Sequence, residues 1–386
     1  METLKPNKPR VLLVANTAWY LYNFRRTLAR SIAAQGFEPV FVAPSGEYSQ
    51  LLEKEGFRFQ SFKLDRSGVN AFQEFSTLFA LYQIYRKEMP VLVHHFTIKC
   101  ILLGTLAAFF ARVPATVNAI TGIGHFLLGD NLRARMIRKP VTLIYRFLMK
   151  LPGVKLIFQN PDDLQVFKSL QIATDQQSYL IRSSGVDLKH FSPVSNEANE
   201  SPVILFGGRL LAEKGIREFF AASAYLNASG VRAKFRVAGG RDSGNPSSIS
   251  DIELAEWKTH PFITFLGHQE NMVQALAEAD IVVLPSYREG VPKILLEAAA
   301  MQKAIVATDV PGCREIVEDG VNGTLVPAKN SIALAKAIEE LILNVELRNK
   351  MGQAGRNKVM MEFDDGVIAD QTIAIYRSFD RPSNQL

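Results

Sequence analysis

Two glutamates eight positions apart, Glu289 and Glu297, bracket the turn Gly290–Val291–Pro292 in the stretch YREGVPKILLEAAAMQ. With Pro292 at a first helical position, the Gly290 and Val291 amides are left free for an anion. Glu297, a turn and a half beyond, can accept hydrogen bonds from a vicinal diol such as a ribose, while Glu289 addresses the group beyond the anion. A second stretch, FGGRLLAEKGI, places Gly208 beside two cations, Arg209 and Lys214, just before a helix. Free N–H groups and fixed positive charge then act on one diphosphate. The glycines do not form the G-x-G-x-x-G dinucleotide pattern. Taken singly, each stretch also reads as an ordinary turn with solvated charges. Taken together, they match a nucleoside-diphosphate sugar, which offers a diol, two phosphates and a sugar in that order.

Elements that could position these groups are legible on both sides. RVLLVAN, EPVFVAP, VLVHHF, ATVNAIT and KLIFQN read as buried strands of a first half, with NFRRTLARSIAAQG as a helix ending at Gly36. SPVILFGG, AKFRVAGG, FITFLG, DIVVLPS and AIVATD repeat the pattern in a second half, with AEKGIREFFAASAYLNASG and VPKILLEAAAMQK as helices. Alternation of this kind predicts an α/β chain of two parallel sheets covered by helices, with ligands at the carboxyl ends of the strands, facing a cleft. The expected division is a first domain over 1–184, a linker over 185–201 in a polar, turn-rich stretch, and a second domain over 202–365. A final helix within 366–386 is expected to pack back on the first domain.

Composition bounds the answer further. The 386 residues are 47% hydrophobic and 21% charged, a globular balance. Cys100 and Cys313 lie far apart without metal-ligand spacing, which suits a reduced, cytoplasmic chain with no disulfide. No apolar run is long enough to span a bilayer, and the N-terminal run VLLVA is too short for a signal peptide. The net charge of +6 is uneven, with 24 Lys and Arg against 13 Asp and Glu in residues 1–190, so the basic excess lies in the first half. That half is expected to face phosphates or a lipid surface. Nucleic acid would also suit the charge, but no RNA- or DNA-binding module accompanies it.

GGRLLAEKG followed by PSYREGVPKILLEAAAMQKAIVATDVPGCREIVEDGVNGTLVP resembles the retaining glycosyltransferases of family 4, which have the GT-B architecture of two Rossmann-like domains. The E-x7-E pair, the Arg and Lys after the double glycine, and the tail from Gly312 to Val326 match in order and spacing. The resemblance is strong over about 201–330 and weaker before. It implies that Arg209 and Lys214 bind the donor diphosphate and stabilise the leaving group. It further implies that Glu297 holds the ribose and Glu289 contacts the sugar, with Gly208, Gly290, Val291 and Pro292 near the donor. It also implies metal independence and no cofactor beyond the sugar nucleotide. The chain has no D-x-D triplet; Asp162–Asp163 reads as a helix cap and Asp364–Asp365 as a solvated turn.

On the acceptor side, the family's small residues after the first strand are replaced by Asn16, Thr17 and Ala18. Asn16, Thr17 and Asn23 are candidate polar contacts or helix caps. After a later strand, Thr121 and Gly122 stand where many relatives carry a histidine before the glycine, and His125 lies three residues on, as ligand or structural histidine alike. The loop GGRDSGNPSSIS resembles that of bacterial N-acetylgalactosaminyltransferases acting on undecaprenyl-diphosphate sugars, which implies a UDP-N-acetylhexosamine donor and a lipid-linked saccharide acceptor. The segment 130–155 holds seven basic residues against one acid, with Val141, Ile144, Leu148 and Leu151 on one helical face. Such a segment can lie on an anionic leaflet, each Lys or Arg adding about 1 kcal/mol, or simply cover the sheet. The expected setting is peripheral, on the inner face of the cytoplasmic membrane. A sugar-nucleotide epimerase or hydrolase, or a binding module without activity, are the alternatives.

Overall fold

The computed structural model describes residues 8–65, 70–121, 132–194, 201–242, 244–245 and 247–379. The chain divides into two compact units, one made of Met1–Gly185 with Asp365–Leu386 and the other of Val186–Asp364.

The first unit holds strands β1 (Arg10–Val14), β2 (Glu38–Ala43), β3 (Arg58–Ser61), β4 (Leu92–Phe96), β5 (Ala115–Ile120), β6 (Val154–Phe158) and β7 (Ser178–Leu180). They form one parallel sheet in the order β3-β2-β1-β4-β5-β6-β7. Its helices are α1 (Ala18–Ala34), α2 (Glu47–Lys54), α3 (Ala71–Glu88), α4 (Ile98–Ala111), α5 (Leu132–Met149) and α6 (Pro161–Ser169). Apolar residues run without interruption along the central strands because both faces are covered. In β1, Val11 and Leu13 join a core with α1, while Leu12 and Val14 join the opposite core with α3 and α4. Short, half-exposed edge strands β3 and β7 lack this signal and escape sequence reading.

The second unit holds β8 (Val203–Gly207), β9 (Lys234–Ala238), β10 (Ile263–Gly267), β11 (Ile281–Leu284), β12 (Ala304–Thr308) and β13 (Thr324–Val326). Their order is β10-β9-β8-β11-β12-β13, again parallel. Helices α7 (Ile216–Ala228), α8 (Asp251–Trp257), α9 (Met272–Glu278), α10 (Lys293–Ala300), α11 (Pro311–Ile316), α12 (Ser331–Leu343) and α13 (Val345–Glu362) cover it. The order reverses between β8 and β11, which opens a crevice at their carboxyl ends.

A last helix, α14 (Asp365–Arg377), belongs to the first unit and packs on α1. Ile368, Ala369 and Ile373 enter the core of Val11 and Leu13, and the Tyr376 hydroxyl is 2.6 Å from His94 Nδ1. Thr27 Oγ1 donates to Asp365 Oδ2 at 2.5 Å, so Asp365 is a tie between helices rather than a solvated turn. Asp162 and Asp163 stand in the first turn of α6, whose cap is Asn160 and not an aspartate.

The segment expected to be a linker is partly core. Val186 and Phe191 are buried in the second unit, and the Val186 amide donates to the Phe363 carbonyl, because two apolar side chains in a polar stretch suffice to anchor it. The apolar face read in 130–155 also divides. Leu148 is buried and Val141 and Leu151 pack against the same core, so only Ile144 of that set is exposed. Among the described side chains of this segment, the exposed apolar ones are Leu143, Ile144 and Phe147.

Candidate functional site

The carboxyl ends of β8 and β11 lie side by side, and the loops that leave them interlock. After β8 the chain runs through Gly208 and Arg209 into a short 3-10 turn, Ala212–Lys214, and then Gly215. Gly215 has φ +72°, and a Cβ there would lie 2.0 Å from the Pro285 carbonyl oxygen, so only glycine permits this approach of the β8 loop to the β11 loop. The Tyr287 amide then donates to the Glu213 carbonyl at 2.8 Å.

The consequence is a direct pairing of two predicted residues. Lys214 Nζ is 2.5 Å from Glu289 Oε1, and Ser286 Oγ donates to the same oxygen at 2.6 Å. Ser286 is itself buried, and its carbonyl accepts from Thr308 Oγ1 at the end of β12. Beyond Glu289, the Gly290 and Val291 amides donate to no described residue. Gly312, at the start of α11, packs so closely on this turn that a Cβ would lie 1.8 Å from the Gly290 carbonyl oxygen. Pro292 is not the first helical residue: with ψ 120° it is the N-cap, and α10 begins at Lys293. Its ring still ends the turn, and its missing N–H costs nothing there.

Glu297 is 9% exposed, which removes the reading of it as a solvated helix-face residue. Burial pushes its carboxyl up to about 7, against the opposing pull of Lys293. Its side chain makes no hydrogen bond with a described residue, so an acceptor stands ready without a partner. Arg209, more than half exposed, pairs instead with Asp242 in the loop after β9, Nη1 to Oδ2 2.6 Å. That pair is exposed and worth at most about 1 kcal/mol, so a multiply charged anion can displace the carboxylate. Asp242, Ser286, Thr308 and Gly312 escape sequence reading as site residues. Asp242 and Gly312 lie within motifs already singled out, whereas Ser286 and Thr308 carry no signal beyond their place at strand ends.

Of the acceptor-side candidates, Asn16 and Thr17 follow the carboxyl end of β1, Thr121 follows that of β5, and Asn23 lies in α1, all on the first unit. Thr17 caps α1, accepting from the Tyr20 amide at 3.1 Å, and Asn23 Nδ2 donates to the Trp19 carbonyl at 2.9 Å. Asn16 and Thr121 are half-buried at these strand ends. Gly122 and His125 lie outside the described residues. Between β1 and β5 in the sheet, Thr97 follows β4 with φ +71°, a conformation that β-branched residues avoid. Nothing in the run HHFTIK announces it. The two β4 histidines are core groups. His95 bridges Asn118 at 2.8 Å and Tyr85 at 2.9 Å, and burial lowers it to about 4; burial also lowers His94.

Two parallel sheets of seven and six strands, each covered by helices, make up the two Rossmann-like domains of the GT-B fold. The chain matches the model of the group 1 glycosyl transferases over residues 189–358 and of the glycosyl transferase 4-like proteins over 10–160. It belongs to family 4 of the glycosyltransferases, a retaining family. It is 27% identical over 379 residues to the N,N'-diacetylbacillosaminyl-diphospho-undecaprenol alpha-1,3-N-acetylgalactosaminyltransferase of Campylobacter jejuni, covering 95% of this chain and 98% of that protein. It is 24% identical to the capsular polysaccharide biosynthesis glycosyltransferase CapM of Staphylococcus aureus, over 81% of this chain and 83% of that one. Among solved structures, Anabaena HepE in complex with UDP-glucose superposes with a TM-score of 0.75 at 18% identity, covering 96% of this chain and 99% of that chain.

Proposed function

We propose that this glycosyltransferase moves an N-acetylhexosamine, N-acetylgalactosamine first among them, from a UDP-sugar to an undecaprenyl-diphosphate-linked saccharide during the making of a cell-surface polysaccharide or glycan. The observation that carries the donor half is the junction of Lys214 with Glu289 beside two unengaged amides, a turn and a half of helix from a buried Glu297 that makes no hydrogen bond with a described residue. The lipid-linked acceptor and the hexosamine rest on the Campylobacter jejuni relative and on the GGRD loop, whose Asp242 holds Arg209.

In this reading Glu297 accepts from the ribose hydroxyls, and the diphosphate lies over the Gly290 and Val291 amides with Arg209 and Lys214 as counter-charges. Charge builds on the departing phosphate oxygen as the glycosidic bond breaks, so fixed cations there act mainly on the transition state. That oxygen takes the acceptor proton as the new bond forms on the same face, and Glu289 positions both Lys214 and the sugar. Neither β4 histidine takes part, since both are neutral and enclosed in the core. The protein works on the inner face of the cytoplasmic membrane, held peripherally through the basic layer that includes 130–155.

The test is a panel of labelled UDP-sugars offered with and without a short-chain polyprenyl-diphosphate sugar. Acceptor-dependent transfer, highest with UDP-N-acetylgalactosamine, is the expected result. A free epimer or free sugar formed without acceptor would point to an epimerase or hydrolase, and donor binding without turnover to a binding module.

A further inference from the structure

Helix α3 buries Thr77, Leu81 and Tyr85 against the sheet and turns a different stripe outward. Along that stripe Phe72, Phe75 and Phe79 are 80%, 66% and 50% exposed, and the same 3-4 spacing continues to Tyr82 and Arg86. Three exposed phenylalanines on one helix face are costly in water and are not scattered surface residues. This stripe lies outside 130–155 and has no part in the donor site.

Its surroundings are of one kind. Helix α3 packs along α4, and α4 against α5, on the same side of the sheet. The outer side of this layer adds Phe109 and Phe110 from α4 and Leu143, Ile144 and Phe147 from α5. Neither α4 nor α5 contains an acid in its sequence. The two acids of α3 are both paired: Glu74 with Lys99, and buried Glu88 with Arg10 and Arg58. Exposed Arg86 and Lys87 in the last turn of α3, Arg112 just after α4, and Lys139 and Lys150 on and just after α5 give the same layer a cationic character, mostly at the end away from Phe72. Exposed aromatic side chains on a layer that carries several exposed cations and no unpaired carboxylate on its helices complement an anionic lipid surface. A second protein surface would have to be both apolar and acidic over three helices.

The placement along the helix adds to this. The Glu74–Lys99 pair ties the first turn of α3 to the first turn of α4, which directly follows the carboxyl end of β4. The Phe72 end of the stripe therefore lies at the end of the sheet where Asn16, Thr17 and Thr121 stand.

We propose that Phe72, Phe75 and Phe79 form a wedge that enters the headgroup region of an anionic bilayer and sets the acceptor loops at the membrane surface. This rests on the membrane reading above and assigns the insertion to α3 rather than to α5. The test compares the full chain with the triple variant Phe72→Ser/Phe75→Ser/Phe79→Ser in sedimentation with phosphatidylcholine vesicles with and without phosphatidylglycerol. Because the three rings are exposed, the variant is expected to keep its Tm. Its affinity for phosphatidylglycerol vesicles is expected to fall at least about 30-fold, the order that three partly inserted phenylalanines supply. Turnover should be lost on a long-chain acceptor in vesicles but kept on the water-soluble acceptor.

Equal vesicle binding by both proteins would overturn the wedge and leave the membrane reading standing through α5. Absence of vesicle binding by the unmodified chain would overturn both. A concentration-dependent dimer that the triple variant abolishes, without vesicle binding, would assign the stripe to a second copy of the chain instead.

Discussion

Lys214 and Glu289, 75 residues apart, meet with Nζ 2.5 Å from Oε1. The pair is largely enclosed, with Ser286 Oγ supplying a second donor to the carboxylate. Lys214→Ala removes the cation proposed to stabilise the leaving group and leaves Glu289 with Ser286 alone. Turnover should fall at least about 10²-fold, the usual cost of losing a transition-state donor. Glu289→Gln keeps the Ser286 contact while freeing Lys214, so its loss should fall mainly on kcat and not on UDP binding. Steady-state kinetics of both variants check this, and near-normal rates would remove the pair from the chemistry.

Arg209 pairs with Asp242, so in the proposed reading a diphosphate reaches its guanidinium by displacing that carboxylate. Asp242→Asn weakens the competitor and should tighten UDP binding by a few-fold, about the worth of an exposed ion pair. Arg209→Ala should weaken UDP binding and lower turnover at least about 10²-fold. Calorimetric titration with UDP reads the binding of both, and weaker UDP binding by the Asp242→Asn variant would mean that the carboxylate serves the ligand instead.

Glu297 makes opposite demands on stability and on function. Its folded-state carboxyl near 7 lies above its ordinary value of 4.5, so between these pH values the folded chain keeps a proton that the unfolded chain has released. Stability therefore falls as pH rises through that window, and is fully present below it. Glu297→Gln should raise the urea midpoint at pH 8 and leave it almost unchanged at pH 4. In the proposed reading the carboxylate binds the diol, and only about one-tenth of it is ionised at pH 6, so UDP affinity should weaken up to about tenfold from pH 8 to pH 6. The Glu297→Gln variant should bind weakly with no such slope.

Gly312 lets α11 close on the Glu289 turn. A Cβ directed at the Gly290 carbonyl from 1.8 Å must push backbone rather than a flexible side chain. Gly312→Ala should therefore cost about 1–3 kcal/mol of stability, typical of overpacking, and should weaken UDP binding more than a surface substitution of equal stability cost. Thermal melts with and without UDP separate the two effects.

Much of the candidate site is legible along the chain because its geometry is local. Glu289, Gly290, Val291 and Glu297 belong to one strand-turn-helix unit, and residue type with spacing is enough to put an acid beside free amides and another inside the next helix. The central strands were legible for a similar reason, since burial on both faces demands an unbroken apolar run. Pro292 stands one residue earlier than the sequence suggests, because a proline fits both N-cap and first helical position and only ψ tells them apart. The edge strands β3, β7 and β13 were missed because half-exposed strands need no such run.

The sequence by itself determined two α/β halves, the E-x7-E turn and helix, and the cations that follow the double glycine, all set by local periodicity and by the conformational limits of glycine and proline. Only the tertiary structure decided that Lys214 reaches Glu289 while Arg209 goes to Asp242, that Glu297 is buried and titrates near 7, and that Leu148 faces the core while Phe147 faces out. Those outcomes depend on which distant segments pack together. Packing sets both the partner a charge finds and the water it loses, and neither quantity is carried by any one stretch of chain.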